Sequence, residues 1–282
     1  MPELPEVETN RRGLAQCVTG LTIDQVDIYW PRIVKTEMDL LKWSQELQGR
    51  TIERMDRRAK YLIFVLSQGL ALVSHLRMEG KYFYYPVDQI PEVKGKHVHL
   101  IMTFTDGSQL QYQDVRKFGR FELMPQTELA DYFKAKKIGP EPTPESFKLD
   151  GFYASLGKIS RAIKPALLDQ KLVAGLGNIY VDEALFQAQI HPLTPAKDLS
   201  YDQASRLHAA IIDVLARAVE AGGTTIRTYL NSLGEAGSFQ VQLAVYGQTG
   251  QPCPRCGHPI EKMVVGQRGT HYCPICQPLY EV

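Results

Sequence analysis

Cys253-Pro254-Arg255-Cys256 and Cys273-Pro274-Ile275-Cys276, separated by sixteen residues, decide how the far end of the chain folds. Two C-x-x-C pairs at this spacing suit a closed tetrahedral zinc site of four thiolates between two hairpin loops. The ribbon from about Tyr246 to Gln277 is too small to have a core of its own, so metal supplies its folding energy. All four positions are cysteine, which leaves no coordination site open. One structural Zn2+ is expected, not a catalytic one. Arg268, with Gly266 and Gly269 around it, falls at the expected tip of the hairpin between the pairs, where its fork of donors can clasp a phosphate. Cys17 stands alone on the first predicted helix and reads as a buried, reduced thiol.

Ahead of the ribbon the pattern is helical. Arg161 to Leu172 predicts one helix with Pro165 near its first turn, Ile179 to Gln189 a second, and Asp202 to Ala221 a long amphipathic third. The glycine-bearing turn from Val173 to Asn178 joins the first two. Bare N–H groups at the next helix start suit a phosphate, although plain helix hairpins use the same chemistry. Gly222–Gln240 is glycine-rich and polar and predicts a mobile loop of the lid type. Pro140, Pro142 and Pro144, at every second position, admit neither helix nor central strand and mark a joint near residues 138–150.

Before the joint the texture is that of strands. One helix, roughly Glu3 to Gln16, leads into alternating LTIDQVDIYW from Leu21, then the apolar run Tyr61 to Leu66, LALVSHLRMEGKYFYY from Leu70, and KHVHLIMTFTDGSQLQYQD, whose Asp106-Gly107 is a hairpin signal. GRFELM from Gly119 makes a further strand. Several short strands behind one helix predict a two-layered β-sandwich. Lys60 meets the apolar run at a polar edge, where it either snorkels or projects into a cleft. His75, Arg77 and Glu79 share one predicted strand face, Leu76 and Met78 the other, so Met78 is core unless the strand ends near Glu79-Gly80. His97 and His99 share a face, with no carboxylate or cysteine nearby to complete a metal site. Arg116, Lys117, Phe118 and Arg120 surround Gly119 in a basic turn with one aromatic, suited to a duplex but common in plain loops.

At 282 residues the chain suits two domains, each able to bury its own core, and its formal net charge of +1 argues against a generally basic nucleic-acid coat. Local clusters would have to serve, such as Arg50, Arg54, Arg57, Arg58 and Lys60, or Lys134, Lys136 and Lys137. No apolar run approaches the ~20 residues of a membrane span, and no basic-then-apolar leader precedes the first helix. A cytoplasmic protein is expected.

The N-terminal MPELPEVET, residues 1–9, reads as a helix start with proline and carboxylates in the first turn. Removal of Met1 would also leave Pro2 as a terminal secondary amine, a nucleophile for an aldehyde-like carbon that yields an iminium electron sink. Glu3 beside it and Glu6 one turn on provide carboxyl groups at hand.

Taken in order, these pieces resemble the bacterial formamidopyrimidine-DNA glycosylases over essentially the whole chain. The matching segments are PELPEVET, RRAKYLIF, SHLRMEGKY, DVRKFG, IGPEP, LVAGLGNIYVDEALF, GGTTIRTY, Phe239-Gln240 to Val245-Tyr246-Gly247, and the CPxC ribbon. The resemblance implies an α+β chain: an N-terminal catalytic β-sandwich with leading helix over 1–138, a helix-two-turn-helix domain over 150–240, and a four-cysteine zinc finger over 241–282. It implies a bifunctional DNA glycosylase and abasic-site lyase acting as a monomer, with no membrane. Its partner would be double-stranded DNA holding an oxidised purine, chiefly 8-oxoguanine or a ring-opened formamidopyrimidine. The base is everted into a pocket between the domains while Met78, Arg116 and Phe118 fill the gap and Arg116 reads the orphaned partner. Pro2 attacks C1′, Glu3 supplies the proton that opens the sugar, and Glu6 orients the site. β- and δ-elimination then cut the strand, assisted by Lys60 and Arg268, and the Gly222–Gln240 loop covers the base. His75, His97, Arg161, Asn178 and Tyr246 fall where the family contacts DNA. Gln267 departs from the small residue usual before Arg268. Two rivals remain at this stage: a damage binder without catalysis, and the pyrimidine-specific sibling endonuclease VIII, which typically has glycine in place of Leu4 and lacks the Met78, Arg116 and Phe118 combination.

Overall fold

Helix α1 (Leu4–Val18) starts at once because Pro5 suits a first turn and the Glu6 side chain accepts the Glu3 N–H at 2.8 Å. Its Val7, Leu14 and Val18 are buried on one face against the strands that follow. β1 (Ile23–Ile28) and α2 (Leu40–Leu47) come next, the latter capped by the Asp39 carboxylate and burying Trp43 and Leu47. The remaining strands of this part are β2 (Ile52–Arg58), β3 (Tyr61–Leu66), β4 (Leu70–His75), β5 (Lys81–Tyr85), β6 (Val98–Phe104), β7 (Gln109–Gln113) and β8 (Arg120–Pro125), followed by α3 (Leu129–Ala135).

They form two four-stranded antiparallel sheets, ordered β1-β6-β7-β5 and β2-β3-β4-β8. The expected sandwich is therefore present. Alternation decides which side chains go inward. Phe64 and Phe121 from one sheet meet Tyr82 and Tyr112 from the other, with ring centroids 4.9 Å apart for Tyr112–Phe121 and 5.7 Å for Phe64–Tyr82. The Asp106-Gly107 turn closes as expected, with Phe104 N–H donating to Ser108 carbonyl. Cys17 is half-buried rather than buried, at the margin of this core.

Residues 1–224 and 238–279 are described in this computed structural model, which divides into two compact units. The first is Met1–Lys136 with Gly222–Gly237, and the second is Lys137–Ala221 with Ser238–Val282. No helix among the described residues is long and apolar enough to cross a membrane.

The second unit contains α4 (Leu149–Leu156), α5 (Ile163–Leu168), α6 (Asn178–Ala188), α7 (Tyr201–Glu220) and the hairpin β9 (Glu261–Val265) and β10 (Arg268–Tyr272). α5 is shorter than the sequence predicts. Ala162 is held extended by a bridge to Pro195, and at the other end Gln170 turns left-handed at φ 64°. The Gln170 side chain then accepts the Gly175 N–H at 2.9 Å, which stabilises the turn into α6. α7 begins in a reciprocal cap between Ser200 and Gln203.

The hairpin is fastened to the helices by buried polar bonds. Lys164 Nζ lies 2.7 Å from Asp182 Oδ1, and both side chains are fully buried. The same ammonium donates to Thr270 Oγ1 at 2.8 Å and the Gly269 carbonyl at 3.2 Å, while Asp182 Oδ2 accepts the His271 N–H at 2.9 Å. Glu183 does the equivalent for the preceding segment, accepting the N–H groups of Ala244, Val245 and Tyr246. Replacing Lys164 by Met strands the Asp182 charge and should cost about 3–5 kcal/mol. Adding Asp182→Leu should recover most of that loss, as read from urea unfolding of the zinc-loaded protein.

Candidate active site and nucleic-acid interface

Pro2 is buried at the head of α1, with Met1 exposed before it. The chain's α-amino group, here on Met1, feels Glu3, Glu6, Lys60 and Glu79. Burial pushes it below its usual value and Lys60 pushes the same way, while the three carboxylates pull it back up. Pro2 is placed deeper than Met1, and burial makes the uncharged, nucleophilic form of a terminal amine easier to reach than it is in water.

Glu6 ties this corner together. Its Oε2 accepts the Glu3 N–H, and its Oε1 accepts the Thr224 N–H at 2.8 Å. Gly223 is required here: its φ is +79°, and a Cβ would stand 2.9 Å from Glu6 Oε1. The expected loop of Gly222–Gln240 begins at this point, but its residues 225–237 lie outside the described residues.

Lys60 belongs to a two-residue turn, not a strand edge. Ala59 takes φ 52° and the chain reverses into β3, leaving Lys60 4% exposed. His75 ends β4. Its Nδ1 accepts the Arg77 N–H at 2.9 Å, and its ring stands edge-on to Tyr61. Burial, with the cations Arg77, Lys60 and Lys136, pushes its pKa down to about 3. The ring is therefore neutral at pH 7 with its hydrogen on Nε2, a donor suited to a phosphate oxygen.

The strand ends at His75, so Arg77 and Glu79 do not share its face as the alternation predicts. Arg77 turns left-handed at φ 56°, and Gly80 N–H returns to the Leu76 carbonyl at 3.0 Å. Met78 rides half-buried on this turn between exposed Arg77 and Glu79. Arg116 and Phe118 lie on the loop from β7 to β8, with the Arg116 guanidinium carbon 4.8 Å from the Phe118 ring centroid. Phe118 is 45% exposed, which leaves its ring accessible from solvent. Lys117, left-handed at φ 59°, sets its ammonium 3.9 Å over Trp30. His97 and His99 do not share a strand face. β6 begins after His97, its register shifts between Val98 and Leu100, and the His99 ring bonds the Asp114 carbonyl.

Sequence reasoning missed Asp114. Its carboxylate accepts Arg116 N–H at 3.0 Å and the N–H groups of Phe118 and Gly119 at 2.8 Å, so it folds the whole loop. An aspartate directly before a basic, glycine-bearing turn is the signal that would have found it.

The other expected DNA contacts lie in the second unit. Arg161 is exposed and pairs with Asp169. Asn178 opens α6 and donates from Nδ2 to the Gly269 carbonyl at 2.9 Å. Tyr246 packs against the His271 ring. Arg268 is not at the hairpin tip. Gly266 (φ 54°) and Gln267 (φ 63°) make the turn, and exposed Arg268 opens β10 opposite Val265.

Cys253, Cys256, Cys273 and Cys276 bring their sulfurs within 4.8 Å of one another. The Cys253–Cys276 and Cys256–Cys273 sulfur separations of 3.8 and 3.5 Å approach the edge of about 3.8 Å expected for zinc with four thiolates. Cys253 Sγ also accepts the Arg255 N–H, and Cys273 Sγ the Cys276 N–H. The donor set fits one structural Zn2+.

Three family models match in succession: the formamidopyrimidine-DNA glycosylase N-terminal domain over residues 1–121, the formamidopyrimidine-DNA glycosylase H2TH domain over 138–230, and a zinc finger found in FPG and IleRS over 250–279. The formamidopyrimidine-DNA glycosylase of Enterococcus faecalis is 60% identical over 280 residues, covering 99% of this chain and 98% of the relative. That of Streptococcus pneumoniae strain R6 is 53% identical, covering 98% and 99%. The solved complex between wild-type Lactococcus lactis Fpg (MutM) and DNA containing N7-benzyl-Fapy-dG is similar at a TM-score of 0.92 and 47% identity, covering 99% of this chain and all of that one. MutM in complex with DNA containing carbocyclic 8-oxo-G matches equally, at 0.92 and 47%.

The buried His75 makes a signed prediction. Unfolded, it takes up a proton below about pH 6.5, whereas the native ring does so only near 3, so stability is lost as the pH drops through that window. Between pH 7 and pH 5 this amounts to about 2 kcal/mol, and His75→Gln should remove that part of the decline in urea unfolding measured at the two pH values.

Proposed function

The chain belongs to the formamidopyrimidine-DNA glycosylase family, and on that premise we propose which of its residues carry the chemistry. It is a DNA glycosylase of base excision repair that removes oxidised purines, formamidopyrimidines and 8-oxoguanine, from duplex DNA and cuts the strand as a lyase, with one structural zinc. The carrying observation is the desolvated α-amino group set among Glu3, Glu6, Lys60 and Glu79.

The Pro2 nitrogen, once terminal, attacks the deoxyribose C1′. The N–C1′ bond forms as the glycosidic bond breaks, and the base leaves with its electron pair and a proton. Glu3 gives a proton to the ring oxygen, which opens the sugar to an iminium. That cation acidifies C2′, so loss of a C2′ proton expels the 3′ phosphate, and a second elimination expels the 5′ phosphate. Lys60 and Arg268 are cationic partners for the departing phosphates, and Glu6 holds the N-terminus in place through the Glu3 N–H. His75, His97, Arg161, Asn178 and Tyr246 grip the DNA backbone. Met78, Arg116 and Phe118 replace the everted base, and the donor-only guanidinium of Arg116 suits the acceptors of cytosine better than the pairing edge of adenine. In domain terms, 1–138 is catalytic, 150–240 is the helix-two-turn-helix DNA-binding domain and 241–282 is the zinc finger. The enzyme works as a monomer in the bacterial cytoplasm.

An uncleaved N-terminal extension makes the Pro2 nitrogen a non-nucleophilic amide. It should lower the borohydride-trapped adduct with 8-oxoguanine duplex by more than about 100-fold. Trapping at the parental yield refutes Pro2 as the nucleophile.

A further inference from the structure

The turn that carries Met78 and the loop that carries Arg116 and Phe118 are distant in sequence, yet both close on one atom. A Cβ on Gly80 would stand 2.4 Å from the Tyr112 hydroxyl oxygen, and one on Gly119 would stand 1.8 Å from it. No side chain fits at either glycine, so each turn approaches the hydroxyl with bare backbone. That hydroxyl donates in turn to Asp114 Oδ2 at 3.3 Å.

Asp114 is 1% exposed and its carboxylate gathers four donors: the Tyr112 hydroxyl and the N–H groups of Arg116, Phe118 and Gly119. Its carbonyl accepts two more, from Lys117 N–H at 3.2 Å and the His99 ring. Arg116 and Phe118 are exposed side chains that stack on each other, so their aim comes from the loop backbone. The backbone in turn takes its shape from one buried carboxylate.

We propose that Tyr112 and Asp114 are positioning residues that hold Met78, Arg116 and Phe118 as one wedge, and so set both the filling of the vacated base position and the preference for the partner base. The proposal rests on the glycosylase reading above and names what holds its wedge. Asparagine at 114 would keep one acceptor oxygen and turn an amide toward donors, leaving at least one loop N–H without its partner. Phenylalanine at 112 deletes the shared atom while leaving the ring stack and adding no bulk.

The test compares parent, Tyr112→Phe and Asp114→Asn on three substrates: 8-oxoguanine opposite cytosine, the same lesion opposite adenine, and a single-stranded abasic oligonucleotide. The single strand has no partner base and no gap in a stack, so its cutting reports the Pro2 chemistry and the folded state alone. Asp114→Asn should lower kcat/KM on the cytosine duplex by about 10–100-fold and bring the cytosine-to-adenine ratio toward one. Tyr112→Phe should move the same two quantities in the same direction by about 3–10-fold. Both variants should cut the single strand within about two-fold of the parent. Variants that keep the parental ratio, or that lose single-strand cutting in proportion to duplex cutting, overturn the proposal alone. A parent inactive on all three substrates overturns the glycosylase reading and this proposal with it.

Discussion

An amine attacks carbon only when it has shed its proton, yet this site surrounds its amine with carboxylates that favour keeping it. Burial resolves the conflict. The head of α1 sinks the N-terminus into a place where desolvation outweighs Glu3, Glu6 and Glu79, and the Lys60 ammonium adds to the effect. In the proposed mechanism the acids then serve as proton donors and scaffolding without silencing the nucleophile. Much of the first unit follows from this requirement, including the tight Ala59-Lys60 turn and the Glu6 carboxylate bonded to two backbone amides.

The second unit meets a different demand, which is to keep a ribbon with little core in a fixed attitude to its helices. Thiolates organise the ribbon internally, but its hold on α5 and α6 comes from Lys164, Asp182 and Asn178 reaching the backbone of β10 and its neighbours. This division explains how a nearly neutral chain can handle a polyanion. Arg54 pairs with Asp56, and Arg57 with Glu8, so the basic cluster over 50–60 is largely offset within the protein. Affinity must come from a few placed contacts more than from a general positive field.

Periodic and local features were legible in the sequence. The cysteine spacing, the alternating strands and the Asp106-Gly107 turn each depend on neighbours within a few residues. Features set by distant parts of the chain were not. α5 ends early because Gln170 takes a left-handed conformation that propensity disfavours for a residue with a side chain. Arg77 does the same after His75, which is how Met78 leaves the core pattern and reaches a turn. Arg268 sits one residue beyond the hairpin tip because Gly266 and Gln267 already supply both left-handed positions. α2 carried a readable Asp39 cap, but its short amphipathic run lay between stronger strand signals. Lys164 and Asp182 are polar residues in helical stretches, and nothing nearby in sequence announces that they are buried against each other.

One packing detail bears on how chains of this kind can diverge. The Tyr112 hydroxyl occupies the space that side chains at both 80 and 119 would need. At 119 every close neighbour of an added Cβ belongs to Tyr112, so an alanine there is sterically compatible only after residue 112 has become smaller in the same lineage. At 80 the Leu76 carbonyl would stand 2.6 Å away as well, so that glycine stays fixed by its own turn whatever residue 112 becomes.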